Sequence, residues 1–443
     1  MDLDLDFGTD EEVGEATRIT QKRTSIDGGE HAKNLHEDEA STRKPKVAKA
    51  QKTNKRKSEH LHEHEASTPS KKRGSKAKPV RITPAARLDE SRNKPITVGT
   101  DFSGLETPSY SLSRNGIHHK LIYACESNST LLELIREAWG PTHLYTDINS
   151  PERRSAPPVQ LYVAGASCQP WSKNGLKQGR NDAQGRGGHL AKSVRFVVDS
   201  KPRAFVLENV DGLGNKTNEK ELNRLLKMLE DNGFQVFHQT LPTEEHGIPQ
   251  HTPRIYIVGF HGKLSHKFTF PEKLGHCLPL DALWDTAPAD ALAPVTSTTV
   301  RGNLKWAKKH LKADGTLIDV EAGKQEVILD VEAGEQYRNC MRNVCPCITR
   351  SRGNSGGYYI MSLGRRTSVT EMGRLQGFSD DTLAVLSKKL GRSALGAALG
   401  NAMSMNVLDR LLPRVCFSAG FIKDFRDPWL DAKYNPTRDL KSA

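Results

Sequence analysis

No apolar run in the sequence reaches the ~20 residues that a membrane-spanning helix needs, so no membrane partner is expected. The start is acidic, Met1-Asp2-Leu3-Asp4-Leu5-Asp6, and no positively charged stretch precedes an apolar core. A secretory signal is therefore not expected. The seven cysteines follow no regular spacing, which argues against a disulfide framework and for reduced thiols in a reducing compartment. Cys340, Cys345 and Cys347 lie close together, with His276-Cys277 upstream, but fit no strong zinc pattern. No metal is expected. His118, His119 and His143 also lack ligand spacing and read as surface imidazoles.

Aromatic residues are nearly absent from residues 1–94, where Ser, Thr, Lys and His dominate. Such a segment buries too little to offset its chain entropy and is expected to be disordered. It is acidic first and basic from Arg43 onward, with clusters at Lys55-Arg56-Lys57 and Lys71-Lys72-Arg73. Leu35 to Thr42 recurs as Leu61 to Thr68, two copies being too few for a solenoid. The clusters read as nuclear-import signals or a nucleic-acid tether, and equally as a solvated linker. The formal net charge of +12 gives the chain a reason to meet a polyanion, though charge alone decides nothing.

What remains has strong pattern. Ile96 to Phe102 reads as a strand, Ser103-Gly104-Leu105-Glu106-Thr107-Pro108 as a turn, and Pro108 suits a helix's first turn. Strand, glycine turn and helix form the nucleotide-site layout of doubly wound folds, although the full glycine fingerprint is missing. Leu121 to Glu126 is a second strand; Glu126 lies where an acid can bind ribose hydroxyls. Helices are expected over Leu131–Trp139, His189–Val198 and Asn218–Asn232, with strands over Phe234–Leu241 and Arg254–Phe260. The alternation predicts an α/β, doubly wound, mostly parallel sheet covered on both faces.

Three strand ends carry chemistry. Leu161-Tyr162-Val163-Ala164 is followed by a loop holding Cys168, Phe205-Val206-Leu207 by Glu208-Asn209-Val210, and Gly247-Ile248-Pro249-Gln250 leads to Arg254. Taken alone, Cys168 reads as a structural thiol. A thiol, an acid and a guanidinium at strand ends instead suit a thiolate nucleophile and a sheltered proton donor. Glycines at positions 175, 179, 185, 187 and 188 predict a mobile loop beside the thiol.

In these residues the sequence resembles the cytosine-5 DNA methyltransferases, whose pattern is Pro-Cys-Gln, then Glu-Asn-Val, then Gln-x-Arg-x-Arg. The counterparts are Ser167-Cys168-Gln169, Glu208-Asn209-Val210 and Gln250 through Arg254, and the resemblance runs from Ile96 to Cys416. Three positions depart: Ser167 for proline, Thr252 for the first arginine, and Glu106-Thr107 for a glycine pair. The resemblance implies an S-adenosyl-L-methionine-dependent methyltransferase acting on DNA through a covalent cysteine adduct on a flipped base. It implies Cys168, Glu208 and Arg254 as catalytic residues. It implies cofactor contacts from Phe102, Ser103, Gly104, Leu105, Glu126, Asp147, Asn401 and Ala402, and substrate contacts from Gln169, Ser172, Asn209, Val210 and Gln250. Alternatives are an RNA (tRNA) methyltransferase of the same fold, or a non-catalytic chromatin adaptor.

The expected organisation is a tail over 1–94, a catalytic and cofactor-binding domain over 95–260, a loop-rich, β-rich target-recognition region over 261–364, a return to the catalytic domain over 365–420, and a tail over 421–443. Asp319–Gly323 recurs as Asp330–Gly334, suggesting a turn repeat or an insertion. Thr370 is expected to cap a helix through Leu375, with Glu371 and Arg374 able to pair. Leu399 to Ser404 should lead a closing helix through Val415. A monomer in the nucleus is expected; the target context and any chromatin partners cannot be read from the sequence.

Overall fold

A computed structural model of the protein describes residues 94–166, 188–286, 297–313, 326–431 and 434–441. Strands β1 (Ile96–Asp101), β2 (His119–Cys125), β3 (His143–Tyr145), β4 (Leu161–Gly165), β5 (Ala204–Val210), β6 (Phe234–Pro242) and β7 (Pro253–His261) form one sheet, in the order β3-β2-β1-β4-β5-β7-β6. The first five in that order run parallel, and β7 is antiparallel to both its neighbours. The antiparallel strand has a consequence for the site. It sets the start of β7 beside the end of β5, with Arg254 opposite Val210 in register.

Successive side chains on a strand point to opposite faces, and both faces here are covered. Leu161, Val163 and Val206 pack with Val407, Leu411 and Val415 of the helix Met405–Ala419. Tyr162, Phe205 and Leu207 pack instead with Val194 and Val197 of His189–Ser200 and with Leu222, Leu225 and Leu229 of Glu219–Glu230. Burying apolar surface on two faces at ~25 cal/mol per Å² is the main stabilising term of such a layer.

A second sheet, order β9-β8-β10-β11, uses β8 (Val327–Leu329), β9 (Cys340–Arg342), β10 (Tyr359–Ile360) and β11 (Arg365–Arg366). Its alternation is as clean. Val327 and Leu329 meet Val300 and Ala307 of the helix Thr298–Ala313, whereas Ile328 and Ile360 join a core with Val369, Met372, Leu375 and Leu395. That helix was not anticipated. Of the repeated segment, Asp330–Gly334 is the turn that follows β8, its Asp330 carboxylate accepting from the Glu332 amide; the copy at 319–323 lies outside the described residues. The tail over 1–94 is outside them too, apart from Lys94.

Local details differ from expectation. Ser368, not Thr370, caps the helix Val369–Leu375, in a capping box with Glu371. A residue must have non-helical dihedrals to cap, and Ser368 has them while Thr370 is already inside the helix. Glu371 and Arg374 do not pair. Glu371 pairs with Arg365, and Arg374 with Asp285 and Asp380, because tertiary partners reach them in better geometry. His119 is half-buried against Trp139 rather than a surface imidazole. The last residues also fold back: Trp429 is buried, and Asp427 pairs with Arg410, itself fully buried.

Candidate active site

The chain leaves β1 at Asp101 and turns through Phe102–Glu106 into the helix Thr107–Arg114. The turn is sharp: Phe102, Gly104 and Glu106 all have positive φ, at 54°, 53° and 58°. Above it, at the carboxyl ends of β1 and β4, is a cavity lined by Phe102, Ser103, Gly104, Leu105, Asn401 and Ala402, among others. These are six of the eight residues expected at the cofactor. Met403, Val163 and Gly165 complete one wall, and Met403 was not foreseen. Leu105, Pro108, Val163 and Met403 give apolar surface, while Thr100, Ser103, Asp101 and Asn401 give polar groups. That mixture suits an amphipathic ligand with a nucleoside and an amino-acid end.

The other two residues expected there do not line the cavity. Glu126 braces the turn: its carboxylate accepts from the Gly104 amide at 3.0 Å and the Asn128 amide at 2.9 Å. Asp147 is exposed and accepts from the Asn149 amide at 2.8 Å.

Asp101, also in the lining, is held from below. Arg153 donates from Nε to Asp101 Oδ1 at 2.6 Å and from Nη2 to Oδ2, and Tyr162 donates its hydroxyl to Oδ2. The guanidinium lies over the rings of Phe196, at 3.9 Å, and Tyr123, at 4.6 Å. Arg153 is 1% exposed. The sequence carried no signal for this pairing, since the partners are 52 residues apart.

The second half of the site begins at the next strand end. Glu208 Oε1 is 3.0 Å from Arg254 Nε, and both side chains are mostly buried. Burial pushes the Glu208 carboxyl above its ordinary range, and the charge and hydrogen bond of Arg254 pull it back. Burial that favours the protonated form suits this carboxyl to giving a proton. Arg254 Nη2 also lies 3.6 Å from the Cys347 sulfur, brought in from the second sheet's region by pairing of Cys345 with Gln250. Sequence reading had singled out Cys347 only for zinc. Among the described residues no cluster of three or more metal-ligating side chains forms.

Gly165 joins the two halves. A Cβ at this position would stand 2.8 Å from the Met403 methyl and 3.4 Å from Glu208 Oε2. The cavity wall and the acid thus meet across a residue with no side chain. Asn209 donates to the Ala166 carbonyl at 3.2 Å, pinning the chain just before the segment that carries Cys168. Its Oδ1 accepts from the Val210 amide at 3.0 Å. Cys168, Gln169 and Ser172 lie outside the described residues, as does Ser167.

Gln250, expected at the substrate, is fully buried with its amide engaged by the protein. It donates to the Leu375 carbonyl at 2.6 Å and accepts from the Thr252 hydroxyl at 2.5 Å and the Ile348 amide at 3.2 Å. Thr252 therefore serves Gln250 in the place where the resemblance has an arginine. Gln250 positions the loop before Arg254.

Comparison with known proteins gives the family and the fold. The family model described as C-5 cytosine-specific DNA methylase matches residues 100–415. The chain is 28% identical over 273 residues to the Type II methyltransferase M.MthTI of Methanothermobacter thermautotrophicus, covering 58% of this chain and 79% of that protein. It is 28% identical over 266 residues to M.NgoBI of Neisseria gonorrhoeae, covering 60% and 76%. Among solved structures, the S. pombe Dnmt2 methyltransferase shares the fold with a TM-score of 0.52 at 17% identity, covering 72% of this chain and 98% of that one. An Entamoeba histolytica methyltransferase, EhMeth, does so with a TM-score of 0.51 at 16% identity, covering 73% and 98%.

Proposed function

The chain belongs to the C-5 cytosine-specific DNA methylase family, and from that premise we propose that it methylates carbon 5 of cytosine in DNA, with S-adenosyl-L-methionine as the donor. The observation that carries the reading is the junction at Gly165, where Met403 of the cavity wall and the Glu208 carboxylate, itself paired with Arg254, flank one residue without a side chain.

Carbon 5 of cytosine is a poor nucleophile. The Cys168 thiolate adds to carbon 6, and the displaced ring electrons raise the reactivity of carbon 5 as Glu208 gives a proton to ring nitrogen 3. Arg254 orients Glu208 and offsets its charge once the proton has gone. S-adenosyl-L-methionine, when bound, supplies the methyl group that carbon 5 takes. Solvent water takes the carbon 5 proton, whose bonding electrons restore the ring double bond and expel Cys168 as thiolate, while nitrogen 3 returns its proton to Glu208. Stacking blocks both ring faces in a duplex, so the target base must leave the helix to reach these groups. The reading includes a nuclear address, supported by the basic clusters at Lys55–Lys57 and Lys71–Arg73.

The test is a covalent trap. Incubated with S-adenosyl-L-methionine and a duplex containing 5-fluorocytosine, the wild-type chain is expected to form a complex that survives denaturing electrophoresis. Cys168→Ala is expected to form none while still binding the cofactor. Methyl incorporation into tRNA and not into DNA would move the substrate to RNA. DNA binding with neither trapping nor turnover would leave a non-catalytic adaptor.

A further inference from the structure

The turn that opens the cofactor cavity carries a carboxyl that the chemistry above does not use. Glu106 is fully buried and holds a φ of 58°, a left-handed conformation that disfavours a side chain. It stands at the N-cap of its helix, yet its side chain caps no amide there. Its two oxygens accept hydroxyl protons instead, from Thr100 at 2.7 Å and from Ser109 at 2.8 Å. The Thr100 oxygen is 2.8 Å from that of Ser103, and the Ser103 oxygen accepts the Cys125 amide at 3.2 Å. One carboxyl thereby ties β1, β2 and the first helix together beneath the turn. Thr100 and Ser103 face the cavity and Glu106 lies behind them.

Proton direction makes this more than packing. With the carboxyl ionised, Ser109 and Thr100 both donate to it, so the Thr100 oxygen is left to accept from Ser103, whose hydroxyl also lies 3.2 Å from the Cys125 carbonyl and 3.3 Å from the Thr100 carbonyl. With the carboxyl protonated, one of its oxygens becomes a donor, and a proton on the oxygen facing Thr100 turns Thr100 into a donor towards Ser103, reversing the order. We propose that Glu106 is a positioning residue for the cofactor, whose carboxylate fixes the orientation of the Thr100 and Ser103 hydroxyls in the cavity wall. This rests on the reading of that cavity as the S-adenosyl-L-methionine site.

The titratable groups around Glu106 are few. The first helix contributes Tyr110, and β1 contributes Asp101, which is held by Arg153. The end of β2 contributes Cys125. The helix Met405–Ala419, packed on the first helix, contributes Asp409, which pairs with Arg114 at that helix's far end. Burial pushes the Glu106 carboxyl up to about 7, against the pull of the Thr100 and Ser109 hydrogen bonds. The switch of proton order therefore falls in the neutral range.

Calorimetric titration of the full chain with S-adenosyl-L-homocysteine, from pH 6 to 8.5, tests this. Wild-type affinity is expected to rise several-fold across the range. Glu106→Gln, which keeps the shape but can only accept at one oxygen, is expected to bind roughly tenfold more weakly at pH 8 and to lose that rise. Glu106→Gly relieves the backbone strain, so a purely steric role would leave or improve affinity, whereas weakening is expected here. Wild-type affinity in Glu106→Gly, or an unchanged pH profile in Glu106→Gln, overturns the proposal. If the glycine variant fails to fold, the glutamine variant decides. A wild-type chain that binds no cofactor overturns the reading of the cavity and this inference with it; insensitive variants of a binding chain overturn the inference alone.

Discussion

Replacing Arg153 by methionine removes the cation from a buried ion pair beneath the cavity at the end of β1. The pair is desolvated on both sides, with side-chain exposures of 1% and 0% for Arg153 and Asp101. Asp101 would keep only the Tyr162 hydroxyl of its three donors. Breaking one side of such a pair typically costs ~3–5 kcal/mol, because the remaining charge stays buried. Methionine refills part of the space against Phe196 and Tyr123, so little cavity cost adds to this. For a chain of this size the expected fall in Tm is on the order of 10 °C. Urea denaturation and thermal scans measure it. The double variant Asp101→Asn with Arg153→Met, which leaves no buried charge, is expected to be more stable than Arg153→Met alone. A loss below about 1 kcal/mol for Arg153→Met would refute the argument that this ion pair holds the floor of the site.

Other expectations can be checked alongside. Glu208→Gln keeps the shape beside Arg254 but cannot give a proton, so turnover should fall by about 10²–10⁴-fold while S-adenosyl-L-homocysteine affinity holds in calorimetry. His246 is buried 2.6 Å from the Arg410 guanidinium and must accept, and burial pushes it down to about 3 from 6.5. A folded value below the unfolded one contributes stability that is complete above pH 6.5 and is lost as pH falls toward 3, at up to about 1.4 kcal/mol per unit. His246→Gln should flatten that slope in acid titrations followed by circular dichroism. Gly396→Ala would set a Cβ 2.1 Å from the Gly353 carbonyl oxygen, forcing apart the helices Arg350–Ser355 and Arg392–Asn401. The expected cost is ~1–3 kcal/mol, read from the urea midpoint. Deleting residues 1–94 should leave a folded core while weakening DNA binding at low salt or lowering nuclear retention; unchanged affinity and distribution would count against the tail's role.

The legible parts were those with local causes. β4 and β5 read as buried strands because Leu161–Ala164 and Phe205–Leu207 are apolar on both faces, and the helix Glu219–Glu230 showed its core stripe at Leu222, Leu225 and Leu229. The turn read over Ser103–Pro108 was legible from strand, glycine and proline in sequence, although the strand ends at Asp101 and not at Phe102. Asn401 and Ala402 came from the resemblance and lie on the same cavity. Gln250 is turned inward, which a motif position does not disclose. Its polar atoms find Leu375, Gln376 and Ile348, residues about a hundred positions away. Glu371 and Arg374 at helical spacing looked like a pair, but each met a better-placed partner from outside the helix.

Hydrophobic period and turn chemistry suffice to name the layered fold, because each is written in neighbouring residues, and the short motifs around Cys168, Glu208 and Arg254 carry the resemblance that names the family. What lies between distant segments is decided by folding alone. The reversed strand Pro253–His261 sets Arg254 beside Glu208, Gly165 lies between Glu208 and Met403 of the cavity wall, and Arg153 finds Asp101 under the turn. Those contacts follow from register and burial, which depend on the whole sheet and are not properties of any stretch of sequence.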